Sequence, residues 1–80
     1  MTKYDFKDYL DKKFQETVKN GRFLMHINKE WCLEISYIGY DRYGVDIRRY
    51  GVYTGKDYQF KKKDYKRYIG IISTWIWNRI

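Results

Sequence analysis

The sequence predicts an α+β domain: a helix, a three- or four-stranded antiparallel sheet and a second helix, with both helices on one face of the sheet. Three observations predict it. Apolar residues recur at helical spacing near the start and near the end of the chain, they alternate at period two in between, and Gly- or Asn-containing turn signals separate the runs. The length of 80 residues suits one domain, residues 1–80, and no repeat, linker or composition break divides it.

Thr2 followed by Asp5 is a variant of the capping box and predicts a helix start. Phe6, Leu10, Phe14, Thr17 and Val18 share one face, Asp8, Lys12 and Glu16 form an i, i+4 ladder on another, and Asn20-Gly21 supplies the stop. From Arg22 the period changes to two. A three-residue loop at Asn28-Lys29-Glu30 pairs 27 with 31, 25 with 33 and 23 with 35, which puts Phe23, Met25, Ile27, Trp31, Leu33 and Ile35 on one face. After a Gly39–Gly44 loop, Val45 and Ile47 join that face, while Asp46, Arg48 and Tyr50 join the open one, with Glu34 near Arg48. A turn at Thr54-Gly55 leads to a short fourth strand through Tyr58 and Phe60. Asp64 is the natural N-cap of the last helix, whose core stripe is Tyr65, Tyr68, Ile69, Ile72, Ile76 and Ile80, with Trp75 at its edge. Trp77 falls about 140° from the centre of that stripe, on the flank that carries Lys66.

Aromatics make up 21% of the chain, so large rings supply the core that a small domain needs despite a mean hydropathy of −0.83. The net charge of +7 is unevenly placed: residues 41–80 hold ten Lys/Arg against four Asp/Glu, whereas residues 1–40 are nearly balanced. Lys61, Lys62, Lys63, Lys66 and Arg67 gather at the start of the last helix, where backbone N–H groups already carry partial positive charge. An external anion reverses the sign of that arrangement. Tyr40, Arg42, Tyr43, Arg48, Arg49, Tyr50, Tyr53, Lys56 and Tyr58 alternate ring and cation, the pattern of a surface that stacks on bases while neutralising phosphates. The expected contact set is therefore Lys61, Lys62, Lys63, Lys66, Arg67, Arg42, Arg48, Arg49, Lys56, Tyr50, Tyr53 and Trp77.

Catalytic chemistry has little to build on. His26 and Cys32 face each other across the first hairpin, with Glu34 two residues along, but no third group is fixed beside them and no catalytic residue is assigned. One His and one Cys do not make a closed metal site, and the glycines stand singly rather than in a phosphate loop, so neither metal nor cofactor is expected. A single cysteine and no secretion-like start predict a reducing cytoplasm, and the longest apolar-rich stretch is too short to span a bilayer. The chain has no Ala and no Pro while Lys, Tyr and Ile abound, a codon bias that fits an AT-rich genome such as that of a low-GC bacterium or its phage.

The order helix, strands, helix, with Lys62-Lys63-Asp64-Tyr65-Lys66 opening the last helix, resembles the double-stranded RNA-binding domain. The resemblance implies phosphate contacts from Lys62, Lys63 and Lys66. The sequence departs from that family in its first loop, Asn28-Lys29-Glu30 instead of Gly-Pro-x-His, and in the bulky Tyr, Ile and Trp of its second helix. In size, lack of alanine and lack of a catalytic set the chain is also similar to small phage-encoded inhibitors of bacterial defence such as anti-CRISPR proteins. Both resemblances imply a binding protein whose partner is nucleic acid or a host nucleic-acid-processing complex, with no small-molecule substrate. The alternatives are a stand-alone dsRNA- or DNA-binding module, a pure protein inhibitor and a membrane-surface protein. An uncovered sheet face or edge strand also leaves pairing of two copies open.

Overall fold

In the computed structural model, which describes residues 1–80, the chain runs α1 (Lys3–Lys19), β1 (Leu24–His26), β2 (Trp31–Ile38), β3 (Arg42–Arg49), β4 (Val52–Lys61) and α2 (Tyr65–Trp77), with a 3-10 turn over Lys62–Asp64. The strands form one antiparallel sheet in the order β1-β2-β3-β4. The α+β class and the element order are those expected.

The capping box is complete: the Asp5 N–H donates to Thr2 Oγ1 at 3.1 Å, and the Thr2 N–H donates to Asp5 Oδ2 at 3.0 Å. Hydrogen bonding to the carboxylate from the Thr2 backbone N–H, and next from the Thr2 side chain, lowers the Asp5 pKa from its ordinary value. The β1–β2 hairpin keeps the expected register, with Met25 opposite Leu33 and His26 opposite Cys32. Its loop is closed by Asn28 Oδ1, which accepts from the N–H groups of Glu30 and Trp31, both at 2.8 Å. Backbone demand is thereby met locally, and loop length fixes which residues face inward.

One core of 14 buried residues joins Phe6, Leu10 and Phe14 of α1 and Ile69, Ile72 and Ile76 of α2 to the inward rows of the sheet, including Trp31, Leu33, Ile35, Val45, Ile47 and Phe60. Both helices therefore cover the same face. They run antiparallel to each other, since Phe6 meets Trp77 at 5.6 Å and Phe14 stacks beside Tyr65 at 6.0 Å. Small residues let them approach: Ser73 is fully buried with its hydroxyl donating to Gly70 O, and the Lys7 stem lies against Gly70.

Several local expectations are corrected. Phe23 is 65% exposed, because it sits ahead of β1 at the sheet edge, and its ring meets Tyr37 edge-on instead of the core. The loop of the second hairpin opens at Gly39 as expected but ends sooner, so β3 begins at Arg42 and runs through Gly44. The β3–β4 turn is Tyr50-Gly51, both at positive φ (51° and 79°), the backbone of a two-residue type I′ hairpin. Thr54-Gly55 is not a turn but part of a bulge in β4. There the register slips opposite Ile47, Gly55 takes φ +85°, and Thr54 Oγ1 donates to the Ile47 carbonyl at 2.8 Å. The fourth strand is consequently ten residues long.

Asp64 makes no side-chain cap bond, because the 3-10 turn feeds directly into α2. Ile80 lies beyond the helix and is 67% exposed. Trp77 is half-buried on Phe6, because α2 must serve α1 as well as the sheet and its apolar stripe is correspondingly wide.

Candidate nucleic-acid interface

Along β3, eight residues place Arg42 and Arg49 at opposite ends of the sheet, about 23 Å apart at roughly 3.3 Å per residue. The expected contact residues divide between those ends. At one end lie Arg42, Lys61, Lys62, Lys63, Lys66 and Arg67. At the other lie Arg48, Arg49, Tyr50 and Tyr53.

The first end is built by strand register and one backbone bond. Arg42 and Lys61 are direct cross-strand partners on the open face, a like-charge pair that is unfavourable by itself. The Lys62 N–H donates to the Asp41 carbonyl at 2.6 Å, which fastens the β2–β3 turn to the 3-10 turn. Tyr40, Asp41, Lys61, Lys62 and Lys63 thereby line one shallow depression, with Tyr40 96% exposed. The Lys62 ammonium bends to the helix side of the sheet, 5.3 Å over the Tyr43 ring, while Lys66 and Arg67 are exposed on the first turn of α2. Arg67 covers Tyr68 at 5.1 Å and Lys56 covers Tyr58 at 5.5 Å, and the two rings meet edge-on, so cation and ring alternate over β4.

The chain contains two ion pairs, Arg48 with Glu34 at 2.8 Å and Arg49 with Glu30. None of the cations at the first end has a carboxylate partner. Antiparallel helices add one cation there that linear reading missed: Lys19 closes α1 beside Tyr43 and Tyr65, whereas Arg22, whose carbonyl accepts from the Tyr37 hydroxyl, lines a separate hollow with Lys13, Glu16 and His26. The signal was available, since two antiparallel helices bring the end of α1 to the start of α2.

The hairpin end is different. Arg48 is held by Glu34 and by the Gly51 carbonyl at 3.2 Å. Arg49 lies 5.0 Å over Trp31, Trp31 meets Trp75 edge-on at 6.0 Å, and Arg79 covers Trp75 at 3.6 Å while donating to its carbonyl. These groups pack the molecule's own end. Tyr50 is 71% exposed at the turn, and Tyr53 donates to Asp57, which pushes its hydroxyl pKa up to about 12. Trp77 is withdrawn from the expected surface by its contact with Phe6.

Between the two ends, the open face carries a row of carboxylates in register, Glu34 beside Asp46 and Asp46 beside Asp57. Partial burial, then Asp57 and Glu34, push the Asp46 carboxyl upward, opposed by Arg48. A polyanion meets repulsion along this row, so the basic footprint is not continuous from Lys61 to Arg48.

His26 and Cys32 stand opposite each other as expected. Burial pushes the Cys32 thiol up, and Glu34 adds to the rise against Arg48, which weighs against a thiolate nucleophile. No group of His, Cys, Asp and Glu side chains has the arrangement of a metal site, and no helix is long and apolar enough to cross a membrane. No protein-family model, curated protein or solved structure matches the chain.

Proposed function

We propose that this chain is a non-catalytic binding protein that docks its cationic end on the phosphate backbone of nucleic acid, alone or within a host nucleic-acid-processing complex. The observation that carries this reading is the Arg42–Lys61 cross-strand pair and its neighbours, which stand together without an internal carboxylate partner while the arginines of the other end are paired within the chain. Like charges held this way destabilise the free protein, and phosphate oxygens relieve them. The small size and the alanine- and proline-free composition support a role as a phage-encoded inhibitor or regulator of host nucleic-acid machinery, of the anti-CRISPR kind.

Salt titration tests the phosphate contacts directly. If about five phosphates are neutralised, log affinity falls against log salt with a slope near −4.5 for duplex DNA, or roughly −3.5 for a single strand. A flat response removes phosphate contacts from the mechanism.

A further inference from the structure

A groove of about 630 Å³ opens at the cationic end between the end of α1, the start of α2 and the start of β3. That volume falls within the roughly 300–1,000 Å³ of small-ligand sites. Phe14, Val18, Tyr43 and Tyr65 line it, with Phe14 edge-on to Tyr43 at 5.3 Å and nearly parallel to Tyr65. Burial, together with the neighbouring Tyr65, pushes the Tyr43 hydroxyl up, so it is a neutral group at ordinary pH.

Charge is placed around this aromatic floor in a definite way. Lys19 lines the groove, and the Lys62 ammonium lies over the Tyr43 ring. Glu16 also lines it, and a carboxylate repels phosphate but accepts from an exocyclic amino group. An aromatic floor between cations, with a hydrogen-bonding group for a ring edge, suits a planar base whose phosphate stays outside on the lysines.

We infer that this groove receives an unpaired nucleobase, which makes single-stranded nucleic acid the preferred polyanion. The inference rests on the phosphate-docking reading and adds to it a preference for exposed bases. A duplex keeps its bases stacked and cannot offer one without unpairing it. A single strand offers them freely.

Fluorescence anisotropy titrations of the full chain with a labelled short oligodeoxycytidylate, an abasic strand of the same length and charge, and a duplex containing the oligodeoxycytidylate decide the matter at one salt concentration. The base-bearing strand is expected to bind about tenfold tighter than the abasic one. Val18→Trp, which fills the groove, brings the two affinities together. Tyr65→Leu, which shortens the floor, is read by the same ratio, with circular dichroism reporting on the fold of both variants. Equal binding of base-bearing and abasic strands overturns the groove assignment while leaving phosphate docking intact. Tighter binding of the duplex than of the single strand also overturns it. Binding of none of the three overturns both readings.

Discussion

At the hairpin end of the sheet, Arg48 and Arg49 each hold a carboxylate of their own chain, whereas at the other end Arg42, Lys61, Lys62, Lys63, Lys66 and Arg67 hold none. The residue types are alike and the surroundings are not. Register explains the difference: β2 supplies Glu34 diagonally to Arg48, and the loop before β2 supplies Glu30 beside Arg49, while β4 puts Lys61 opposite Arg42. Arginines at one end are tied into the molecule's own packing, and the cations at the other have no ion pair within the chain. A count of Lys and Arg cannot separate these uses.

The largest expected effect comes from reversing charge at the free end. Removing three phosphate contacts on a single strand lowers affinity by about 100-fold at 0.1 M salt, at roughly 0.7 log units per contact for a tenfold change in salt. Lys61→Glu, Lys62→Glu and Lys63→Glu together should reach or exceed that loss in an anisotropy titration, with the Tm held or raised, because all three residues are exposed and Glu at 61 turns the like-charge pair with Arg42 into an opposite-charge one. Retained binding would end the comparison, since the free end would then have no privileged role.

Arg49→Ala should give the reverse profile. It leaves Glu30 unpaired and uncovers Trp31, so stability falls by about 1 kcal/mol, seen as a drop in Tm of roughly 4 to 8 °C. Affinity for nucleic acid should change less than twofold. A large affinity loss without a change in Tm would move Arg49 into the contact surface and dissolve the contrast between the ends.

Much of this layout was legible from the sequence because local chemistry and burial agree. Thr2 with Asp5, Asn20-Gly21 and the Asn28 loop each fix a boundary, and the inward row Met25, Leu33, Ile47 follows from period two. The failures occur where a third element decides. The bulge at Thr54-Gly55 reads as a turn, since glycine at positive φ serves both, and only pairing with β3 tells them apart. Trp77 reads as exposed if α2 faces the sheet alone, but α1 lies along its flank. The candidate site suffered in the same way: the lysine cluster is visible in sequence, while the separation of Arg42 from Arg48 and Arg49 depends on strand direction, and the addition of Lys19 depends on helix packing.

The carboxylate row between the ends offers the smallest and most discriminating effect. Asp46 faces Glu34 on one side and Asp57 on the other, and its pKa is raised above the ordinary aspartate value of 3.8, first by burial and then by those two charges. A raised folded-state pKa means that the protonated form is the one the fold favours. The associated stability is fully present below the unfolded value and is lost as pH rises through the folded one. At neutral pH the ionised Asp46 is therefore a burden, and Asp46→Asn should raise Tm by roughly 1 to 8 °C, since like-charge cross-strand neighbours are unfavourable by about 0.2 to 1 kcal/mol. The gain should shrink as pH falls through the folded pKa toward 3.8, where Asp46 itself takes up a proton. The same substitution weakens the barrier between the two ends, so single-strand affinity should rise slightly at low salt. If Asp46→Asn leaves both Tm and affinity unchanged at neutral pH, the row repels nothing, and only Arg48's own ion pair keeps the hairpin end apart from the cationic end.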